Sequence, residues 1–229
     1  TAEDLYYKFA NKLKLNLKSK LEDIEKDIYT KWPKGKDERK LIEKIWKLLL
    51  HTNDSNLRKK LITYIDNNNM TLSKSVLNVY QNFNFKETDI VSNKFFNKWS
   101  QNSIVLDSWF SFRASIEIDN YIENLESLFK HKCFDNKSPN TLRSILNGFV
   151  SNNRFFHDKE GKGYNYIANK VIEFDKINPI VISRFIKLFS RWDQYAEPYK
   201  TNMLNAIKFI DSHDLSINSR EVIDLILKK

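Results

Sequence analysis

Side chains able to do chemistry are sparse in this 229-residue chain, and their spacing argues against a self-contained catalyst. Four histidines occur, His51, His131, His157 and His213. None stands in an H-E-x-x-H helix, and no two fall four apart, the spacing that puts two imidazoles on one helical face to hold zinc. The single cysteine, Cys133, excludes an internal disulfide and any Cys-based zinc site, and reads as a small residue packed at a helix end. Paired carboxylates such as Glu22-Asp23 lie on the polar side of an amphipathic segment. There is no glycine-rich phosphate loop and no G-x-S-x-G elbow. His157 follows Phe155 and Phe156 and precedes a glycine loop, so it reads as a structural hydrogen bond that fixes the loop. Two arginines remain, Arg143 and Arg184, near the starts of two helical segments in the stretch Asn140–Arg191.

The net charge is +9 and the pI about 9.3. A basic chain can be drawn to nucleic acid. Here, however, lysines are interspersed with acids, as in KDERKLIEKIWK, which is the pattern of solvated helix faces. No apolar run reaches the roughly 18 residues a bilayer crossing needs, so no membrane segment is expected. The opening TAEDLYYKFANK has neither an initiating Met nor a basic-then-apolar leader, and the chain is expected to be a piece of a longer polypeptide. Lack of disulfides favours a reducing compartment, and the expected location is cytoplasmic. Three N-x-S/T triplets, at Asn53, Asn69 and Asn136, are chance products of an Asn-rich sequence.

The elements that must position these residues are helices. Only 4 Gly and 4 Pro interrupt the chain, too few for a sandwich or barrel with its many turns. Residues 2–32 carry Leu5, Phe9, Leu13, Leu17, Leu21, Ile24 and Ile28 at steps of three and four, one apolar stripe stopped by Trp32-Pro33-Lys34-Gly35. A helix from Asp37 presents Leu41, Ile45, Leu48 and Leu49. Asn53-Asp54-Ser55 reads as a cap, and Asn67-Asn68-Asn69 ends the next helix near Ile65. Thr71 is expected to cap a helix through Tyr80, with Leu72, Val76 and Val79 inward. Residues 87–100 place Ile90, Phe95 and Trp99 at helical spacing. Leu106, Trp109, Phe110 and Phe112 form an aromatic cluster that belongs to the core. Further helices are expected over 120–132, 140–151, 164–176, 179–192, 197–212 and 218–228, with Leu204, Ile207, Phe209, Val222, Ile223, Leu225 and Ile226 on the last two. No period-two alternation persists. The expected fold is all-α, with antiparallel helix pairs stacked into a curved ARM/HEAT-like superhelical array, although no repeat motif is visible.

Several segments, in order, resemble one family. Phe96-Asn97-Lys98-Trp99-Ser100-Gln101-Asn102, followed by Val105-Leu106-Asp107-Ser108-Trp109-Phe110, is similar to the KW-x-Q-N … VMDKWF segment of bacterial-type aminopeptidase N (alanyl aminopeptidase). Asn140-Thr141-Leu142-Arg143-Ser144, with Phe149, resembles its N-R-I-R-S-L … F segment. Phe156-His157, Gly161, Gly163, Tyr164 and then Asn178-Pro179, Val181, Ser183 and Arg184 resemble its FH … G-S-G-Y … NPQVASR segment. Asn68-Asn69-Met70-Thr71 adds a shorter match. The similarity is strongest from residue 67 onward, and it implies one helical C-terminal domain over 1–229, with 1–66 as its N-terminal helices and 67–229 as the resembling segment.

The resemblance implies a role for this domain as a non-catalytic bowl over a zinc-dependent catalytic domain, which carries the H-E-x-x-H and G-A-M-E-N motifs and is absent from this chain. No metal or cofactor is expected in the chain itself; zinc belongs to that partner domain of the same polypeptide. Short peptides are the implied substrates, admitted to an enclosed chamber by size. Arg143 and Arg184 align with arginines that look into the chamber on its leaving-group side, where a guanidinium can pair bidentately with a peptide carboxylate. Asn178 as cap and Pro179 at the first helical position set Arg184 in the second turn. Ile180, one turn earlier, stands where the family often has Gln, and implies a more apolar wall. Beside this reading stand an intradomain salt bridge or cap for the two arginines, a freestanding helical scaffold for a protein partner, and a charge-driven RNA-binding array.

Overall fold

Polar side chains, rather than glycine or proline, start many of the helices. In the computed structural model, which describes residues 2–26, 35–81 and 83–228, Asp54 accepts from the backbone N–H groups of Asn56 and Leu57 at 3.1 Å. Asn69 accepts from Leu72 N–H at 3.1 Å and Asn152 from Arg154 N–H at 3.2 Å. Ser138 and Ser216 do the same for Thr141 and Ser219. Each satisfies N–H groups that a helix start leaves without partners. Among the described residues there are helices and no strand, so the all-α expectation holds.

The chain divides into two compact units, Thr1–Phe112 and Arg113–Lys229. The first holds α1 (Ala2–Glu25), α2 (Lys36–Leu50), α3 (Ser55–Asp66), α4 (Met70–Tyr80), α5 (Thr88–Trp99) and most of α6 (Ser103–Ser115). Its core is made by Ile42, Trp46 and Leu49 of α2, Leu61 and Ile65 of α3, Val76 and Tyr80 of α4, Phe95 of α5 and Phe110 of α6. Trp109 and Phe112 are buried as the aromatic cluster predicted, and Trp109 donates from Nε1 to Ser92 at 2.9 Å. The second unit holds α7 (Tyr121–Phe129), α8 (Pro139–Val150), α9 (Asn153–Phe156), α10 (Lys162–Phe174), α11 (Pro179–Ile186), α12 (Tyr199–Asp211) and α13 (Ile217–Leu227). There α10 packs on α11 and α12, and α11 on α13.

Several local expectations shift. Ile42 and Trp46, rather than Leu41, face the core of α2, and Leu41 is exposed. The segment LIEKIWKLLL has apolar residues on two adjacent faces, and α2, packed against α1 and α4, buries Ile42, Ile45, Trp46, Leu49 and Leu50. Leu5 and Phe9 of α1 lie in solvent, whereas Leu21 is buried; Ile28 and Trp32-Pro33-Lys34 fall outside the described residues. Asn69, not Thr71, caps α4. Ile90, Phe209 and Leu225 are exposed. The segment expected as one helix over 179–192 is α11 followed by two 3-10 turns, Lys187–Phe189 and Trp192–Gln194, and the four-residue α9 was not expected. Among the described residues no helix is long and apolar enough to cross a membrane.

Candidate functional site

The motif segments fold into two kinds of residue, those satisfied within their own unit and those that are not. Lys98, in the Lys-Trp segment, donates to the carbonyls of Ile65, Asp66 and Asn67 at 3.1, 2.7 and 2.6 Å, and so closes the end of α3 with a cation where the helix dipole favours one. His157 bonds through Nδ1 to the Tyr164 hydroxyl at 2.7 Å and stacks on Tyr195, as its position before the glycine loop suggested. Burial holds this imidazole below its ordinary pKa. Gly163 is required by contact: a Cβ there would meet the carbonyl oxygens of Phe155 and Phe156 at 2.3 and 2.4 Å. Gly161, one residue before α10, adopts φ 74°, the left-handed region in which glycine is least strained.

Arg143 and Arg184 are of the second kind. Ser138 caps α8 and Pro139 opens it, so Arg143 rides its second turn; Asn178 and Pro179 begin α11, and Arg184 rides its second turn in the same way. Asn178 sits at the cap position, but its side chain does not cap the helix. It donates instead to the Asn136 carbonyl at 2.7 Å, which ties the approach to α8 to the start of α11. Sequence spacing could place each arginine on its helix but could not show this tie. Among the described residues neither guanidinium has an ion pair or a hydrogen bond. Arg143 Nε is buried with no partner, and Arg184 is exposed. A buried donor left unmatched costs about 1–3 kcal/mol; Trp99 and Trp192 Nε1 and the Tyr121 hydroxyl share that state with Arg143 Nε, but of these only Arg143 carries a charge. Ile180 lies one turn before Arg184 and is 62% exposed.

Two other features are already self-contained. A cavity of about 590 Å³ is lined by Phe129, Phe134, Asp135, Asn136, Glu173 and Phe174. Its phenyl rings touch one another, with centroids 5.2 Å apart for Phe129 and Phe134. The cation beside them is the protein's own: Lys170, buried, pairs with Glu126 at 2.8 Å and Glu173 at 2.7 Å and sits 4.4 Å from the Phe129 ring centre. Among the described residues no three His, Cys, Asp or Glu side chains come together to hold a metal.

The family described as "Domain of unknown function (DUF3458_C) ARM repeats" matches residues 1–228. The chain is 30% identical over 157 residues to aminopeptidase N of Haemophilus influenzae, covering 67% of this chain and 18% of that protein. Over 142 residues it is 30% identical to aminopeptidase N of Escherichia coli, covering 62% and 16%. A crystal structure of Legionella pneumophila aminopeptidase A in complex with aspartic acid superposes with a TM-score of 0.83 at 25% identity, covering 98% of this chain and 28% of that one. The matches thus span less than a fifth of the curated relatives and under a third of the solved structure.

Proposed function

The chain belongs to the DUF3458_C family of ARM-repeat domains, the C-terminal domain of aminopeptidase N-like peptidases, and from that premise we propose that it shapes peptide access to a catalytic domain on the same polypeptide. The observation that carries the reading is the contrast within the motif segments. Lys98, His157, Gly163 and Asn178 are consumed by their own fold, whereas Arg143 and Arg184 have no partner among the described residues. A guanidinium held on a packed helix is pre-organised to take a carboxylate or carbonyl bidentately. On this reading the two arginines hold the C-terminal end of a short peptide while its N-terminal residue lies at the catalytic centre of the neighbouring domain. Ile180 supplies an apolar wall beside Arg184. The chain is one C-terminal domain of a cytoplasmic zinc aminopeptidase that releases N-terminal residues, and the metal is held by the catalytic domain.

The test is kinetic and uses the full-length polypeptide. Arg143→Ala or Arg184→Ala should raise KM for short peptides about tenfold or more, the worth of a charge-assisted hydrogen bond. The rise for aminoacyl anilides, which lack the carboxylate, should be much smaller. Equal effects on both substrate types would remove the carboxylate clamp. The 229-residue chain alone should neither retain zinc through dialysis nor cleave aminoacyl fluorogenic substrates; turnover by clean protein would contradict the assignment.

A further inference from the structure

The helices that carry Arg143 and Arg184 rest mainly on different neighbours. The α8 helix packs on α7 and α9, whereas α11 packs on α10 and α13. At its far end α8 also meets α10, where the Phe149 and Tyr166 ring centres are 5.3 Å apart. At its near end α8 is entered through a turn closed by its own bonds. Asp135 Oδ1 accepts from Lys137 N–H at 2.9 Å, and the Asp135 carbonyl accepts from Ser138 N–H at 3.1 Å. The Asn136 carbonyl in that turn accepts from the Asn178 side chain. Asn178 itself is buried. Its N–H donates to the Phe174 carbonyl at 2.8 Å, and its own carbonyl accepts from Val181 and Ile182 N–H at 3.1 and 3.0 Å. The backbone thus joins the end of α10 to the start of α11 and leaves the side chain two uses, to cap α11 or to reach the α8 turn. Asparagine is among the best residues for capping a helix start. Here the cap is forgone for a carbonyl 42 residues away.

We propose that Asn178 is a positioning residue for peptide binding: its side chain fixes the start of α11 against the start of α8, and with them the spacing of Arg184 and Arg143. The proposal rests on the access reading given above and adds to it a residue that touches no substrate. Pro139 opens α8 and Pro179 opens α11, and each arginine rides the second turn of its helix. Only a closed turn and helical backbone therefore lie between either arginine and the tie. Two guanidinium groups engage one peptide end together only when the helix starts that carry them are correctly spaced. Without the tie the two starts sample further arrangements, and apparent affinity falls with the fraction of time spent in the competent one. A single neutral hydrogen bond can bias that fraction about fivefold.

The experiment uses the full-length polypeptide and compares Asn178→Ala with Asn178→Ser. Serine caps a helix start about as well as asparagine does but is too short to reach the Asn136 carbonyl. Both variants should raise KM about fivefold for short peptides with a free C-terminal carboxylate. Neither should change kcat, nor KM for aminoacyl anilides. In a background already carrying Arg143→Ala and Arg184→Ala, adding Asn178→Ser should have no further effect, because no clamp is left to position. Urea unfolding reads stability separately: Asn178→Ser should lose less than Asn178→Ala, while their KM changes are equal. A peptide KM that tracks the loss of stability, a rise shared by the anilides, or a rise that persists without the arginines would mark Asn178 as merely structural and overturn the proposal. An unchanged peptide KM in both variants would do the same. If the arginine variants separate peptides from anilides while the Asn178 variants do not, the access reading stands and only the positioning role falls. If the arginine variants fail to separate them, the access reading and this inference fall together.

Discussion

Arg58 in the first unit and Arg143 in the second are the same side chain in opposite settings. Arg58 is 7% exposed and is met on all sides: Nε donates to Glu87 at 3.1 Å, NH1 bonds to Asn53, and the guanidinium lies 4.9 Å from the centre of the Phe85 ring. Arg143 has a buried Nε and no partner. The first arginine joins the start of α3 to the residue before α5 and is spent on the fold. The second is placed by its helix but not used by it. Burial of a cation therefore says little about its role; what separates structure from function here is whether the partners lie within the same unit.

Four expectations would break or sharpen that comparison. The largest is Arg58→Ala, which leaves the Glu87 carboxylate buried and unpaired and should cost about 3–5 kcal/mol in urea unfolding. Replacing both partners with apolar residues of similar volume should restore most of that loss. A loss near zero for Arg58→Ala would erase the contrast. Next is Asp175, 1% exposed, which accepts from Ser216 Oγ at 2.7 Å and from Ser216 N–H and Ser219 Oγ, and so ties the end of α10 to the start of α13. Asp175→Ala leaves these donors unanswered and should cost about 1–3 kcal/mol by the same measurement.

A smaller effect is expected from His157. Burial depresses its folded pKa below the ordinary imidazole value of about 6.5, so the unfolded chain binds the proton more readily. Its contribution is fully present above pH 6.5 and is lost as pH falls through that value toward the folded pKa. The stability of the wild-type chain should therefore fall between neutral and mildly acidic pH, and His157→Gln should flatten the fall. It should not abolish it, because burial and Lys132 also lower the pKa of His131. A slope unchanged by the substitution would show that the Tyr164 contact is indifferent to protonation. The smallest loss is expected at the two arginines: Arg184→Ala, at an exposed side chain, should shift unfolding by no more than about 0.5 kcal/mol, and Arg143→Ala, which removes a buried unmatched donor, should leave stability unchanged or raise it. A loss as large as that for Arg58 would make them structural.

Much of the helical framework was legible in the residues. Asp54 as a cap, the inward Leu72, Val76 and Val79, and the buried cluster around Trp109 follow from spacing and from the few polar types that satisfy helix ends. His157 was legible as a loop anchor because an imidazole beside a glycine turn is near backbone and aromatic partners. The choice of Ile42 over Leu41 was not, because both lie on plausible faces and only the packing of α2 against α1 and α4 selects one. Leu5 and Phe9 were misplaced for a related reason: a regular stripe marks what a helix could bury, while its neighbour decides how far along the stripe burial extends.

By itself, then, the sequence determined an all-helical chain, its breaks and caps, and the turn of helix on which each arginine rides, because hydrogen-bond satisfaction and helical periodicity act over a few residues. Only the tertiary structure decided which charges are answered. The 2.7 Å bond from Asn178 to Asn136 joins residues 42 apart, and the missing partner of Arg143 Nε is a property of everything packed around it. Such facts depend on which distant segments meet, and no local spacing encodes that meeting.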